Sequence, residues 1–370
     1  MCLNIGYERT TYAEKRLFIN SIESYRYEKI DGQNLDDSLI LNEKELRWSS
    51  NIDKNNDIDL VHTFNSINYG DCPWVVTFET SVPRLYRNEV FHHGINVLEK
   101  DNCLAIIAMS QAALNIHNNS LKSKSPESLS VLDKKTYILH PPQPLIDSNM
   151  YRFNDINPLK LIFVSNQFFL KGGEVLLEAL IEFRKIHNVE LTLVTRFGLN
   201  DNVTLHDDAD TERVKKVINE NLDWITLHNS LPNEDVLKVI AESHLGIVLS
   251  FAETYGYVVL EMQAAGVPVV TTNIRAFPEM NSDTTGWLVK YPYKNGRLPN
   301  GSTREDVKEI SESMKKQLLV ILKEVISDNG KILSEKAFNC KKKIFLENNP
   351  YLYAENLKNI YSKGLENYNC

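Results

Sequence analysis

The sequence predicts an α/β protein built from two Rossmann-like units, each a parallel sheet covered by helices. Three observations predict it. Short apolar runs rich in β-branched residues alternate with helical periodicities along the chain, the pattern of parallel strands joined by right-handed crossovers. The length of 370 residues exceeds one ordinary core and suits two domains of about 150–200 residues. A stretch rich in Pro, Asn and Asp, residues 141–158, interrupts the series near its middle and reads as a linker. We place the boundary there, with residues 1–150 as the first domain and 151–370 as the second.

In the first domain an apolar run at 2–5 opens the chain, and Leu17, Phe18, Ile22 and Tyr25 share one face of a helix expected over 12–25. A strand is expected at 27–30. The polar region up to Asn56 gives no periodicity. DLVHTFN (59–65) and PWVVTFET (73–80) are β-rich, 83–98 is expected to be helical, and CLAIIAM (103–109) is a buried strand. Ser110 then serves as the N-cap of the next helix. A short strand at 137–140 closes the series.

The second domain alternates more regularly. Strands are expected at 159–164, 190–195, 224–228, 245–250 and 267–271. Helices are expected over 174–187, over 232–243 with Pro232 in the first turn, and over 257–265 closed by Gly266. From Thr303 onward the pattern is helical. These last helices either return to pack on the first domain or form a partner surface.

Composition narrows the function classes. There are 41 basic and 49 acidic residues, a formal charge of −8, which disfavours sequence-independent nucleic-acid binding. Lys122, Lys124, Lys134, Lys135 and Lys341 to Lys343 read as solvated surface. Cys2, Cys72, Cys103, Cys340 and Cys370 show neither C-x-x-C nor zinc spacing, which fits a reducing cytosol. The first residues are charged where a signal peptide is apolar, and no apolar run reaches 18 residues. The expectation is a cytoplasmic protein that meets any lipid-linked acceptor peripherally, from the inner face of a membrane.

The sharpest constellation is Glu253-Thr-Tyr-Gly-Tyr-Val-Val-Leu-Glu261, at a strand end and a helix start. Gly256 permits a tight turn and close approach of a ligand. The N–H groups of Tyr257 and Val258 open the helix and suit a diphosphate. Glu261 lies one turn on, roughly 6 Å along the axis at ~1.5 Å per residue, so it reaches a ribose while Glu253 reaches a sugar. Carboxylates are good acceptors for vicinal diols. As plain helix-end residues the two need no function, but Glu261 sits in the apolar run VVLEMQAAG, where an unpaired carboxylate is costly. The second constellation is Ser165-Asn-Gln-Phe-Phe-Leu-Lys171-Gly172-Gly173, in which Lys171 suits a leaving diphosphate. The G-x-x-x-x-G-K-[ST] pattern of a nucleoside-triphosphate loop is absent.

Together, FVSNQFFLKGGEVLLEAL and LSFAETYGYVVLEMQAAGVPVVTT resemble the signature of glycosyltransferase family 4, the large retaining family of GT-B fold. The likeness extends over 159–289, and in weaker form over DLVHTFN, PWVVTFET and AIIAMS. The resemblance implies a GT-B fold, two facing Rossmann-like domains with a cleft between them. It implies transfer of a sugar, with retention, from a UDP- or GDP-linked donor to a glycan or lipid-linked acceptor in bacterial surface polysaccharide or lipopolysaccharide synthesis, without a metal or other cofactor. Carried over by residue, Glu253 contacts the donor sugar, the amides of Gly256, Tyr257 and Val258 the sugar and phosphate, Glu261 the ribose, and Lys171 with Gly172 the diphosphate. Asn229 to Leu231 lie near the base.

Four departures bear on mechanism. Asn166 stands where an Arg is common, shifting phosphate binding toward Lys171 and Arg196. Thr254-Tyr255 replaces a proline-aromatic pair, and Glu79 stands where a His is frequent. As a carboxylate, Glu79 accepts a hydrogen bond from the sugar or stabilises an oxocarbenium-like transition state. Only Gly6 remains of a Gly-rich N-terminal loop. These departures leave two alternatives open: a non-catalytic nucleotide-sugar-binding subunit, and an epimerase of the same fold. Asp208-Ala-Asp210 spells D-x-D within what reads as a polar loop, and no metal is assigned to it. His92 and His93 lie in an expected helix without a third ligand.

Overall fold

The computed structural model describes residues 4–7, 26–29, 49–54, 57–84, 87–199, 203–292 and 302–369. The helix expected over 12–25 lies outside them. The chain divides into two compact units, 1–143 with 348–370, and 144–347. The division falls at Gln143/Pro144 rather than at 150/151, and the last helix goes with the first unit, one of the two fates open to it.

The first unit holds β1 (Asn4–Tyr7), β2 (Arg26–Lys29), β3 (Ser49–Ser50), β4 (Leu60–Phe64), β5 (Ile67–Asn68), β6 (Trp74–Phe78), β7 (Cys103–Ala108) and β8 (Thr136–Ile138). Six of these form a parallel sheet in the order β2-β1-β4-β6-β7-β8, and β3 pairs with β5 apart from it. Every residue of β4, β6 and β7 is buried, as a parallel sheet covered on both faces requires. Helix α1 (Asn88–Glu99) begins at Asn88 rather than at 83, so Arg84 is free of the helix. Helix α2 (Gln111–Lys124) starts as expected, with Ser110 Oγ accepting the Ala113 N–H at 3.0 Å.

The terminal helix Pro350–Asn369 packs on β7. The Tyr361 hydroxyl lies 2.5 Å from His62 Nδ1, and His62 Nε2 lies 2.7 Å from Thr77 Oγ1. All three residues are buried. This polar connection fixes where the helix lands, which apolar burial alone does not.

The second unit holds β9 (Leu159–Val164), β10 (Val189–Val194), β11 (Ile225–His228), β12 (Leu245–Val248), β13 (Val269–Thr272) and β14 (Gly286–Val289). The sheet is parallel, in the order β11-β10-β9-β12-β13-β14. Counted within the unit this is 3-2-1-4-5-6, the dinucleotide-binding order. Its longer helices are α3 (Gly173–Phe183), α4 (Asp208–Asn219), α5 (Asn233–Ala241), α6 (Tyr257–Ala264), α7 (Arg304–Ser327) and α8 (Lys331–Glu347). Helix α6 is buried throughout from Val259 to Ala264, so it shows no polar face of the usual surface-helix kind. Gly266, at φ 64°, closes it.

Two readings are corrected here. The segment around Asp208 and Asp210 is the first turn of α4 rather than a loop, with Asp207 and Asp210 forming a reciprocal capping box. Pro232 occupies the N-cap position of α5 rather than its first turn. No helix among the described residues is long and apolar enough to cross a membrane.

Candidate functional site

The strand order places a topological switch point between β9 and β12. Successive strands run outward from β9 through β10 to β11, then return to its other side at β12. Loops leaving the carboxyl ends of such neighbours diverge and open a crevice, the usual ligand position in this architecture. The two loops here are 165–172 and 249–256, and they carry both constellations read from the sequence.

Hydrogen bonds tie the loops together. The Phe251 N–H donates to Leu170 O at 2.9 Å. Lys171 Nζ donates to Ala252 O at 2.7 Å and lies 3.1 Å from Glu253 Oε2. The two side chains are 14% and 10% exposed, so the pair is largely shielded yet open to the crevice. The other Glu253 oxygen, Oε1, accepts the Thr254 N–H at 3.0 Å.

Two glycines make this approach possible. Gly172 has φ 77°, and a Cβ there would lie 2.3 Å from Leu249 O, a backbone atom. Gly256 has φ 100°, and a Cβ there would lie 2.4 Å from Phe277 Cε1. Both conformations are strained for any other residue. Helix α6 starts directly after Gly256, so its positive dipole end follows Glu253 closely in the chain.

The neighbouring loops join the same edge. Asn166 O accepts the Gly198 N–H at 2.7 Å, linking the loops after β9 and β10. Arg196 Nη2 donates to Ser230 Oγ at 2.8 Å, linking those after β10 and β11. Asn166, Arg196 and Asn229 are exposed and Leu231 is half-buried. Tyr257 and Val258 are half-buried at the helix start, Tyr255 is buried with its ring 5.3 Å from that of Tyr257, and Glu261 is 6% exposed inside α6. Lys171, Gly172, Glu253 and Gly256 therefore converge on one edge, while Tyr255 and Glu261 stand behind it within the core.

Glu79 belongs to the first unit, at the carboxyl end of β6. Arg84 Nη2 donates to Glu79 Oε1 at 2.8 Å and to Thr80 Oγ1 at 3.0 Å. Asn65 Nδ2 donates to the same Glu79 oxygen at 3.4 Å, and Asn65 Oδ1 accepts the Glu79 N–H at 3.1 Å. Glu79 is thus an ion-paired carboxylate in a built setting. Sequence reasoning missed both partners. The signal for Asn65 was its place at the end of a β-rich run, where its φ of 59° suits Asn.

The remaining candidates have structural partners. Asp210 pairs with Arg213 at 3.3 Å and Arg304 at 3.1 Å besides capping α4. His92 Nδ1 meets Ser125 Oγ at 2.8 Å, and His93 stacks on Tyr69. Among the described residues no group of three or more His, Cys, Asp or Glu is arranged to hold a metal. Burial pushes the thiols of Cys72 and Cys103 up to about 12, which removes them as nucleophiles. A second missed pair, Glu174 and His206, flanks the Lys171 loop, with Nε2 2.8 Å from Oε2.

Residues 158–295 match the family described as glycosyl transferases group 1. This segment is a glycosyl transferases group 1 domain. Every residue of the switch-point edge lies inside it. The whole chain has the α/β fold of GT-B glycosyltransferases. It is similar to the Anabaena protein Alr3699/HepE, solved in complex with UDP and glucose, with TM-score 0.62 and 14% identity over 97% of this chain and 99% of that one. It is similar to a glycosyltransferase from Rickettsia africae, with TM-score 0.59 and 17% identity over 98% and 90%. Sucrose-phosphate synthase from Thermosynechococcus elongatus superposes with TM-score 0.54 and 17% identity over 83% and 73%. No curated protein sequence matches the chain.

Proposed function

We propose that the chain transfers a hexosyl group, with retention of configuration, from a UDP- or GDP-linked sugar to a glycan or lipid-linked acceptor. The observation that carries this reading is the Lys171–Glu253 pair at the switch point, beside the start of α6. A diphosphate needs a cation and free N–H groups, and a sugar needs a carboxylate acceptor. A cation, a helix start and a carboxylate stand together on one edge of one sheet.

In this reading Lys171 takes charge from the leaving diphosphate, and the first turn of α6 takes the rest. Glu253 holds the donor-sugar hydroxyls and Glu261 the ribose. Arg196 supplements the phosphate contact that Asn166, an uncharged residue, does not make. No metal is required, and synthesis of a bacterial surface glycan is the proposed setting, with the acceptor met at the inner face of a membrane. The group 1 domain and the UDP-bound neighbour support the donor class.

One observation favours a second reading, a nucleotide-sugar-binding subunit that performs no transfer. Glu79 is engaged by Arg84 and Asn65, which restrains it from acting on a sugar. Calorimetric titration of UDP- and GDP-sugars into wild type and Glu261→Ala, each with a donor-hydrolysis assay, separates the two. Transfer predicts binding of one donor, its loss in Glu261→Ala, and slow hydrolysis in wild type. Binding without hydrolysis or transfer to any acceptor supports the subunit. Absence of binding sinks both.

A further inference from the structure

We propose that His206 is a positioning residue for the loop that carries Lys171, acting as a bridge between the loop's two flanks. The inference rests on the donor-site reading above. The His206 imidazole stacks on Phe169, with ring centroids 4.1 Å apart and planes 15° from parallel. Its Nε2 lies 2.8 Å from Glu174 Oε2. Phe169 precedes Lys171 by two residues, and Glu174 follows it by three. One side chain therefore grips both ends of the segment Leu170-Lys171-Gly172-Gly173.

Between those grips the segment is closed by its own backbone. Phe169 O accepts the Gly172 N–H at 3.0 Å, and Phe168 O accepts the Gly173 N–H at 2.8 Å. Phe168 meets Phe169 edge-on at 5.3 Å. The loop thus behaves as one piece, with its direction set by what holds Phe169 and Glu174. Lys171 Nζ is anchored on Ala252 O at 2.7 Å, a contact the flexible stem keeps only while the loop holds its place. A misplacement near 1 Å is enough to spoil a contact made at hydrogen-bond distance.

A second observation sets His206 apart from an ordinary packing residue. With Nε2 donating to Glu174, its Nδ1 is buried and has no hydrogen-bond partner. A buried polar atom without a partner needs a reason, and an apolar ring would stack on Phe169 without that liability. Only an aromatic ring with one N–H at its edge makes both contacts. Glu174 is in turn braced by Arg213, which also touches Asp210, and Arg304 reaches Asp210 and Asp207. The bridge is therefore anchored on the starts of α3, α4 and α7.

The test is a double-mutant cycle read by calorimetry with whichever of UDP and GDP binds wild type. His206→Ala is expected to raise Kd about tenfold in the wild-type background and less than twofold in Lys171→Ala. Two further variants separate the contacts: His206→Phe keeps the stack, and His206→Gln keeps a donor toward Glu174. Each is expected to fall between wild type and His206→Ala. An equal loss in both backgrounds would show that His206 acts on the fold and not through Lys171, overturning the proposal. So would an unchanged Kd in a folded His206→Ala, or full recovery in either single-contact variant. Failure of wild type to bind either nucleotide is a different result, since it removes the donor site itself.

Discussion

Lys171 and Glu253 neutralise one another across the switch point of the second unit, Nζ to Oε2 at 3.1 Å. Each is also held by backbone, Lys171 by Ala252 O and Glu253 by the Thr254 N–H. The donor reading assigns the two residues to different parts of one ligand, the diphosphate and the sugar. Entry of a diphosphate therefore competes with Glu253 for the ammonium and releases a carboxylate beside the sugar.

That competition gives a prediction with opposite signs for two readouts. Glu253→Gln removes the competing charge, so the free nucleoside diphosphate binds Lys171 more tightly, by roughly 3–10-fold in Kd. Donor hydrolysis or transfer falls in the same variant, by about 10²–10³ in kcat. Titration with the nucleotide and a turnover assay check both. Weaker nucleotide binding in Glu253→Gln would show that Glu253 is no competitor for the ligand.

Gly172→Ala tests the local geometry. The new Cβ meets Leu249 O at 2.3 Å in a residue with φ 77°, and neither a backbone oxygen nor the φ can yield cheaply. The expected cost is about 1–3 kcal/mol, visible as a lowered denaturation midpoint, together with loss of nucleotide binding. A variant of unchanged stability and affinity would show that the loop has room it does not have here.

Much of this edge was legible in the sequence because its chemistry is local. Lys171-Gly172-Gly173 and Glu253 through Glu261 are short runs whose spacing and glycines speak for themselves, and strand alternation gave the parallel sheets. What was illegible depends on distant partners. Arg84 reads as part of the helix expected over 83–98 until Glu79 stands beside it, and His206 reads as a polar-loop histidine until Phe169 and Glu174 close on it. Asp208 and Asp210 were misread as a loop because the strong capping box beginning at Asp207 uses the residue types that also make turns. The terminal helix carries no sequence mark of its unit, since its landing is fixed by Tyr361 meeting His62, 299 residues away.

Tyr361→Phe is expected to lower stability by about 1–3 kcal/mol, because it takes a partner from a buried imidazole nitrogen. Chemical denaturation measures it. Nucleotide affinity should be unchanged, since the group 1 domain lies in the other unit.

Stability should fall as pH drops below the ordinary histidine value. Burial lowers His62 to about 3 and His117 and His244 to about 4, the last also under Arg152 and Lys160. Folded, these imidazoles stay neutral; unfolded, they take up protons below about pH 6.5. The unfolded state then binds more protons, so stability is full above 6.5 and is lost on the way down to 3–4, at most about 1.4 kcal/mol per pH unit for each fully buried histidine. Glu174 adds to the acid side: burial opposes its charge, but hydrogen bonds from His206 and Arg213 hold its carboxyl below the usual range. Denaturation midpoints should fall in the order pH 7.5, 6.5 and 5, with the larger step between 6.5 and 5. A flat profile would contradict the burial of these groups.

Asp210→Ala should destabilise the protein by about 0.5–2 kcal/mol through the lost capping box and ion pairs, and a chelator should leave turnover unchanged. A chelator-sensitive activity restored by a divalent cation would return D-x-D to consideration.

The most direct test of the central claim is a crystal structure of the protein soaked with UDP or GDP, whichever binds. The diphosphate is predicted within hydrogen-bond distance of Lys171 Nζ and of the first N–H groups of α6, with the Lys171–Glu253 contact lengthened and the ribose toward Glu261. A nucleotide seated elsewhere, with Lys171 still paired to Glu253, would contradict the assignment of this edge as the donor site.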